Sequence, residues 1–447
     1  MPRLLLPALT ALVALGPAAR LHAAAAPELR DVVVAKVAAE YPSLEAIYKQ
    51  LHANPELSFM ETNTAALIAK ELRALGIEVT EKVGNTGVVG VLKNGAGPTV
   101  LVRADMDGLP VKELTGVPWA SNAVVKDLAG KDQPAMHACG HDLHVTGLIG
   151  TARTLVALKD QWKGTIVFVA QPAEEIVAGA RAMLSDGLYT RFPKPDFALA
   201  LHVSSVRPAG QVSVVDGTPY ASVSSVDIVV RGVGGHGSQP QTTRDPIVLA
   251  AQIVTALQTI VSRETKPGTP AVVTVGTIQG GTKRNIISES VKLELTLRAF
   301  EEKVMTDMIV AIRRICEGTA RAAGVPDDRL PVVTVTAEST PVTVNDSALT
   351  RRLTGTFKAW LGDRRVEPAP PTTGGEDFSE FGRTLHRVPI FIWGIGAADP
   401  AKFEAAQRAG QSLPSNHSPL AMFVPDPTLQ TCVTTMTAAV LDLTAKK

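Results

Sequence analysis

Runs of like charge are missing from this chain: 44 Lys and Arg stand against 43 Asp and Glu, a formal net charge of +1, with neither sign concentrated anywhere. That argues against a nucleic-acid partner, which needs a dense basic surface. Long apolar runs are missing too. No segment reaches the ~18 uninterrupted apolar residues of a membrane helix, so no membrane span is expected. Coiled-coil heptads, low-complexity tracts and internal repeats are also absent. Cysteine is scarce: Cys139, Cys316 and Cys432 are the only three, an odd number that leaves at least one thiol unpaired.

What is present points to a folded, exported protein. Apolar residues make up 45 % of the chain and charged residues 19 %, enough to build a buried interior. A length of 447 residues suggests two or more domains. The opening, MPRLLLPALTALVALGPAARLHAAAAPELR, has the layout of a secretory signal: Arg3, then apolar Leu4 to Leu15, then small residues Ala23 to Ala26. Residues 1–26 are therefore expected to be cleaved and the mature chain to be periplasmic or secreted. In an oxidising compartment Cys316 and Cys432 could pair, leaving Cys139 as a ligand or a reactive thiol.

Strand and helix patterns alternate. Residues 58–75 place Leu67, Ile68, Leu72 and Leu75 on one helical face, Ser58 and Glu61 have capping-box spacing, and Gly76 ends the helix. Strand-like runs at 87–92, 99–103, 165–170 and 197–203 alternate with helices at 142–159 and 178–185, the pattern of a largely parallel sheet covered on both faces. After about Gly217 the texture changes. Strands at 223–231, 271–279 and 291–300 and helices at 246–263 and 302–323 make a small α+β unit, with Asp245-Pro246 as a helix start. Mixed α/β texture returns beyond about 335 and closes with a helix at 427–445.

The chemistry lies at the ends of the strand-like runs, where parallel sheets collect ligands. RADMDGLP (103–110), HACGHDLH (137–144), QPAEE (171–175), LHV (201–203), GGEDF (374–378) and SNHSP (415–419) all sit there. Cys139 and His141 offer a soft thiolate and an imidazole, suited to zinc or a similar metal. Glu174 and Glu175 diverge as neighbours, so one can bind metal while the other faces substrate. With His202 and His417, the donors exceed the needs of one structural zinc and fit a two-metal hydrolytic site. Asp142 has the place of a helix cap, and His137 and His144 that of supporting or packing residues. The rival is a thiol hydrolase with Cys139 as nucleophile; alkylation would stop it and chelation would not.

The succession HANPELSFME (52–61), RADMDGLP, MHACGHDLH, QPAEE, GGHGSQP (234–240), GGTKRN (280–285) and GGEDF resembles the M20 metallopeptidase/amidohydrolase family, in its branch of N-acyl-amino-acid, hippurate and auxin-conjugate hydrolases. The resemblance implies two divalent metal ions, zinc foremost with manganese, cobalt and nickel as alternatives, held by Cys139, His141, Glu175, His202 and His417. It implies Glu174 as general base, with Asp105 or Asp107 holding a ligand or the base in place. It further implies a two-domain α/β fold: a catalytic unit in two segments, 27–216 and 335–447, interrupted by a smaller α+β lid over 217–334 through which a homodimer forms. His236 matches a lid histidine that steadies the reacting oxyanion and Asn285 a polar substrate contact. The substrate would be a small amide or short peptide. A carboxypeptidase or dipeptidase is the alternative, as is a metal- or peptide-binding protein without catalysis. The flank of His417, QSLPSNHSPLAMF, departs from the family's usual motif.

Overall fold

The structure, a computed structural model, describes residues 27–445; the expected signal segment over 1–26 lies outside them. Helices α1 (Pro27–Ala53) and α2 (Thr62–Ala74) come first. Ala65, Ile68, Ala69 and Leu72 form the buried stripe of α2, and Gly76 follows it with φ +72°. The expected capping box does not form. The helix starts only at Thr62, and its first-turn N–H groups, those of Asn63 and Thr64, donate to the Glu56 carboxylate (3.0 and 2.8 Å). Ser58 donates to Asp107 instead (2.6 Å), and the Glu61 carboxylate accepts from the N–H groups of Phe59 and Ala173 (2.9 and 2.8 Å). Ser58 and Glu61 are drawn to buried partners, and Glu56 serves the helix start in their place.

Strands β1 (Glu78–Val83), β2 (Gly87–Asn94) and β3 (Thr99–Asp105) are followed by a short hairpin, β4 (Val124–Lys126) and β5 (Asp132–Pro134). Then come α3 (His141–Ala157), β6 (Gly164–Gln171), α4 (Gly179–Ser185), α5 (Leu188–Arg191), β7 (Phe197–Pro208) and β8 (Val212–Val214). The chain next builds a separate layer: β9 (Ser222–Arg231), β10 (Gly235–His236), α6 (Pro246–Thr259), β11 (Ala271–Gly280), β12 (Ile286–Ile287), β13 (Ser290–Ala299), α7 (Glu302–Ala322) and β14 (Val332–Thr340). It returns with α8 (Ser347–Leu361), β15 (Val366–Pro368), α9 (Ser379–Arg383), β16 (Ile390–Ala398), α10 (Pro400–Arg408) and α11 (Pro425–Thr444).

The large sheet has the order β1-β2-β6-β3-β7-β16-β8-β15. Its centre, β6-β3-β7-β16, is parallel; β1, β2 and β8 add antiparallel pairings towards the edges. Side-chain alternation explains the double covering. Val100, Val102 and Phe168 enter one core with residues of α1, α3, α8 and α11, while Leu101, Val167 and Val169 enter another with residues of α4 and α9.

The small sheet, β11-β13-β9-β14, is antiparallel throughout. In β13, Val291, Leu293, Leu295 and Leu297 pack on α6 and α7, so Lys292, Glu294, Thr296 and Arg298 face the other way. Asp245 caps α6 as expected, accepting from the N–H of Ile247 at 2.8 Å. By length and apolarity residues 246–264 could cross a membrane, yet Leu249, Ile253 and Leu257 are buried in the small core. Pairing of β14 with β9 carries the small sheet on to Thr340, past the composition change near 335. All three cysteines are free; Cys316 belongs to the small core and Cys432 to the large one, so their pairing is not made.

Candidate metal centre

Strands β7, β8 and β16 and the loop after β6 border a cavity of about 1060 Å³ between the two sheets. Cys139, Glu174, Glu175, His202 and His417 line one wall; Val223, Thr296 and Arg298 of the small sheet line the other.

Local backbone chemistry explains how each group arrives. Gly140 precedes α3 with φ +83°, and a Cβ there would lie 2.3 Å from Cγ2 of Val203. Only glycine lets Cys139 turn against β7 and His141 begin the helix. Asp142 is therefore not the cap. It sits inside the first turn, accepting from the N–H of Leu143 (2.9 Å) and facing His52 Nδ1 at 2.6 Å. The Glu174-Glu175 turn is held by Asp107, which accepts from both backbone N–H groups (3.2 and 3.1 Å). Positive φ at Ala173 (+50°) and Val177 (+48°) brackets that turn, strain of the kind that collects at functional sites. His202 lies within β7, which continues to Pro208 rather than ending near 203. His417 sits in a loop at φ +72°, its N–H donating to Ala138 O at 2.8 Å, and its side chain is 57 % exposed.

Fixed acceptors set the imidazole tautomers. His141 Nδ1 faces Asp107 O at 2.8 Å and His202 Nδ1 faces Val203 O at 2.8 Å. A carbonyl only accepts, so both Nδ1 atoms carry the hydrogen and both Nε2 lone pairs are left for the cavity. His202 Nε2 lies 3.4 Å from Cys139 Sγ. His141 Nε2 lies 3.8 Å from Glu175 Oε1 and 3.9 Å from Glu174 Oε2, and His417 Nε2 is 3.5 Å from Glu175 Oε2. Donor atoms of Cys139, His141 and His202 lie within 4.8 Å of one another, as do those of Cys139, Glu175 and His417, and those of His141, Glu174 and Glu175.

Charge is crowded here. Burial, then the charges of Glu376 and Glu175, push the Glu174 carboxyl well above its ordinary range; burial and Cys139 do the same to Glu175. Burial would raise the Cys139 thiol, but His202, His141 and His417 hold it well below its usual value. His141 Nε2 and Glu175 Oε1 are buried with no hydrogen-bond partner. Such orphans need an explanation, and a bound cation supplies one. A thiolate, imidazoles and carboxylates with free lone pairs fit a metal-binding cluster.

The sequence profile of Peptidase family M20/M25/M40 matches residues 101–408. The chain belongs to this family. It is 37 % identical over 360 residues to thermostable carboxypeptidase 2 of Saccharolobus solfataricus, covering 80 % of this chain and 86 % of that protein. It is 36 % identical over 339 residues to the hippurate hydrolase of Campylobacter jejuni, covering 75 % and 84 %. Its fold matches the crystal structure of a dinuclear metal-binding M20 peptidase from Bacillus subtilis with TM-score 0.72 and 29 % identity, over 90 % of this chain and 98 % of that one. The M20 chain is a metal-dependent hydrolase of amide bonds.

Two expected site residues of this M20 chain lie apart from the cluster. His236 lies on β10, paired with Ile286 of β12 in a separate two-stranded ribbon, and Asn285 just precedes β12, its carbonyl accepting from Gly237 N–H at 2.9 Å; both residues are exposed and neither lines the cavity. Other residues of the strand-end motifs complete the surroundings. Arg103, fully buried, forks onto Glu376 (2.8 and 3.3 Å) and also meets Asp105 at 2.6 Å and Gln171 at 2.9 Å. Oxygens of Glu376 and Asp377 lie within 4.8 Å of Glu174. His144 takes a supporting place: Nδ1 meets Asp105 at 2.5 Å while Nε2 accepts from Val203 N–H at 2.9 Å. Burial overrides the Asp105 charge and pulls His144 down to about 4, so it is neutral. His137 is buried with neither ring nitrogen bonded. Arg298 reaches the cavity with no carboxylate within ion-pair distance among the described residues; alternation along 291–299 was the available signal.

Proposed function

We propose that this chain is an exported amidohydrolase that splits small N-acyl amino acids or related conjugates into a carboxylic acid and an amino acid. Glu174 carries the reading: a buried carboxylate beside the donor cluster, held by Asp107 through its backbone, with its side chain free for proton transfer. Cys139, His141, Glu175, His202 and His417 would hold two divalent ions, zinc foremost given the thiolate, with manganese, cobalt or nickel compatible. Bound there, the ions would supply Lewis acidity to the amide carbonyl and the attacking water. Glu174 takes the proton of that water on its carboxylate and delivers it to the departing amine nitrogen. Asp107 orients His141 and both glutamates; Asp105 orients His144 and pairs with Arg103. Arg298 supplies the unpaired cation that a substrate carboxylate would meet across the cavity.

In the same reading residues 1–26 direct export to the periplasm or beyond. Segments 27–216 and 335–447 form the metal-bearing unit, and 217–334 form a lid through which two copies associate. His236 and Asn285 would then serve substrate binding from the lid. Kinship with thermostable carboxypeptidase 2 supports a second reading, cleavage of short peptides. One experiment separates them: the purified mature chain is assayed on N-acyl amino acids and on dipeptides, with and without chelator. Chelator-sensitive turnover of N-acyl amino acids is expected. Preference for dipeptides selects the peptidase; activity that survives chelation but not alkylation removes the metal mechanism.

A further inference from the structure

His52, near the end of α1, lies outside the donor cluster and is 3 % exposed. Its Nδ1 is 2.6 Å from Asp142 Oδ2 and its Nε2 is 3.1 Å from Glu113 Oε1, both side chains being fully buried. Each partner oxygen belongs to a carboxylate that also accepts hydrogen bonds from elsewhere. Asp142 accepts from Leu143 N–H (2.9 Å); Glu113 accepts from Ser121 N–H (2.6 Å) and the Thr115 hydroxyl. Two acceptors, one at each ring nitrogen, require a hydrogen on both, so the ring is an imidazolium between two carboxylates. Burial pulls the ring's pKa down, and the bonds to Asp142 and Glu113 overcome it, lifting it to about 10.

The two carboxylates belong to different stretches of the site. Asp142 directly follows His141, in the first turn of α3. Glu113 sits in the segment that clasps both donor loops. Its neighbour Leu114 donates N–H to Pro419 O (2.8 Å), two residues beyond His417, while Ser121 Oγ donates to Ala135 O (2.8 Å), four residues before Cys139. A buried ion pair holds geometry when it is complete and is costly when one member is removed.

We infer that His52 is a positioning residue: bridging Asp142 and Glu113, it locks the Cys139–His141 turn to the His417 loop and so presets the spacing between the two groups of donors. The inference rests on the metal reading of that cluster. Groups that orient ligands from behind typically change metal affinity by about 10- to 100-fold when removed.

The test titrates metal-free mature protein with zinc by calorimetry, alongside metal content after dialysis. Three variants are compared with wild type: His52→Gln, Glu113→Gln, and Leu353→Ala, a cavity in the core on α8, a helix that belongs to neither donor loop. With folding checked by circular dichroism, wild type should bind two ions. His52→Gln should bind them about 10- to 100-fold more weakly, Glu113→Gln should move the same way, and Leu353→Ala should keep wild-type affinity at a lowered Tm. If His52→Gln does not fold, Glu113→Gln alone decides. Wild-type affinity in the folded His52→Gln or Glu113→Gln protein, or an equal loss in Leu353→Ala, overturns the positioning role. A wild type that binds no ion removes the metal reading itself, a separate outcome.

Discussion

Replacing Glu174 by Gln is the sharpest single perturbation of this site. Glutamine keeps the shape and hydrogen-bonding reach of the side chain but cannot take up a proton at neutral pH. The backbone of residue 174 is held by Asp107 at 3.2 Å, so the turn should survive the change. General-base groups typically supply about 10²- to 10⁴-fold in rate, and the structure favours the upper half of that range. The obvious substitute is Glu376, which has an oxygen within 4.8 Å of a Glu174 oxygen. It is not free to swing in: Arg103 forks onto it and the Phe378 N–H donates to it at 2.9 Å. With no spare base, kcat should fall about 10³- to 10⁴-fold, equivalent to ~4–5.5 kcal/mol of transition-state stabilisation. The assay pairs kcat on an N-acyl amino acid with metal content by elemental analysis. Metal content near wild type with the stated loss is expected; kcat within tenfold of wild type at full metal loading refutes Glu174 as base.

Arg298→Ala should raise KM for substrates bearing a free carboxylate about 10- to 100-fold, the worth of one charged hydrogen-bonded contact; methyl-ester substrates should lose little, and equal losses on both would place Arg298 outside recognition. Gly140→Ala should lower Tm, since αL strain of about 1–2 kcal/mol adds to a Cβ placed 2.3 Å from Val203; an unchanged melting curve would contradict the close approach. His52 gives a pH signature. Its folded pKa of about 10 lies above the unfolded value near 6.5, so its stabilisation is complete below about pH 6.5 and is lost as pH rises through 10. The stability gap between wild type and His52→Gln, from urea unfolding, should therefore narrow between about pH 7 and 10.5, and a gap that widens would reverse the assignment.

Much of the sheet was legible because buried strands leave local marks. Val100, Leu101 and Val102 form an unbroken apolar run that a strand covered on both faces requires, and the Cys139–His141 pair stands out where both residue types are rare. Partners brought together by the fold were not legible. Arg103 meets Glu376 across 273 residues, and His52 meets Glu113 and Asp142 across 61 and 90. Spacing rules reach only one helical turn or one strand pair, so the Ser58/Glu61 spacing predicts a cap that the fold does not use. Its two side chains instead support Asp107 and the turn before Glu174. Arg298 sits between these cases: alternation placed it opposite the leucines of β13, but only the packing of two sheets shows that this face looks into the cavity.

The donors themselves differ in how firmly the chain holds them, and that difference follows from where each lies. His141 and His202 are fixed twice, by the element that carries them and by a carbonyl that dictates the tautomer. The two glutamates are fixed through one carboxylate, Asp107, which is itself tied to Ser58. Cys139 depends on the left-handed turn at Gly140. His417 has none of this: its side chain stands half in the open, and its place is set by its own backbone, by the neighbouring Asn416 amide, which reaches Val203 O at 3.0 Å, and by the clasp at Pro419. Regular elements and buried acceptors thus preset most of the cluster, whereas its last member lies on a loop held by a few hydrogen bonds to β7 and by Pro419. A buried imidazolium that ties that loop to the first turn of α3 makes physical sense for this reason: it adds a second tether to a loop that the large sheet holds only through Asn416 and Ser205.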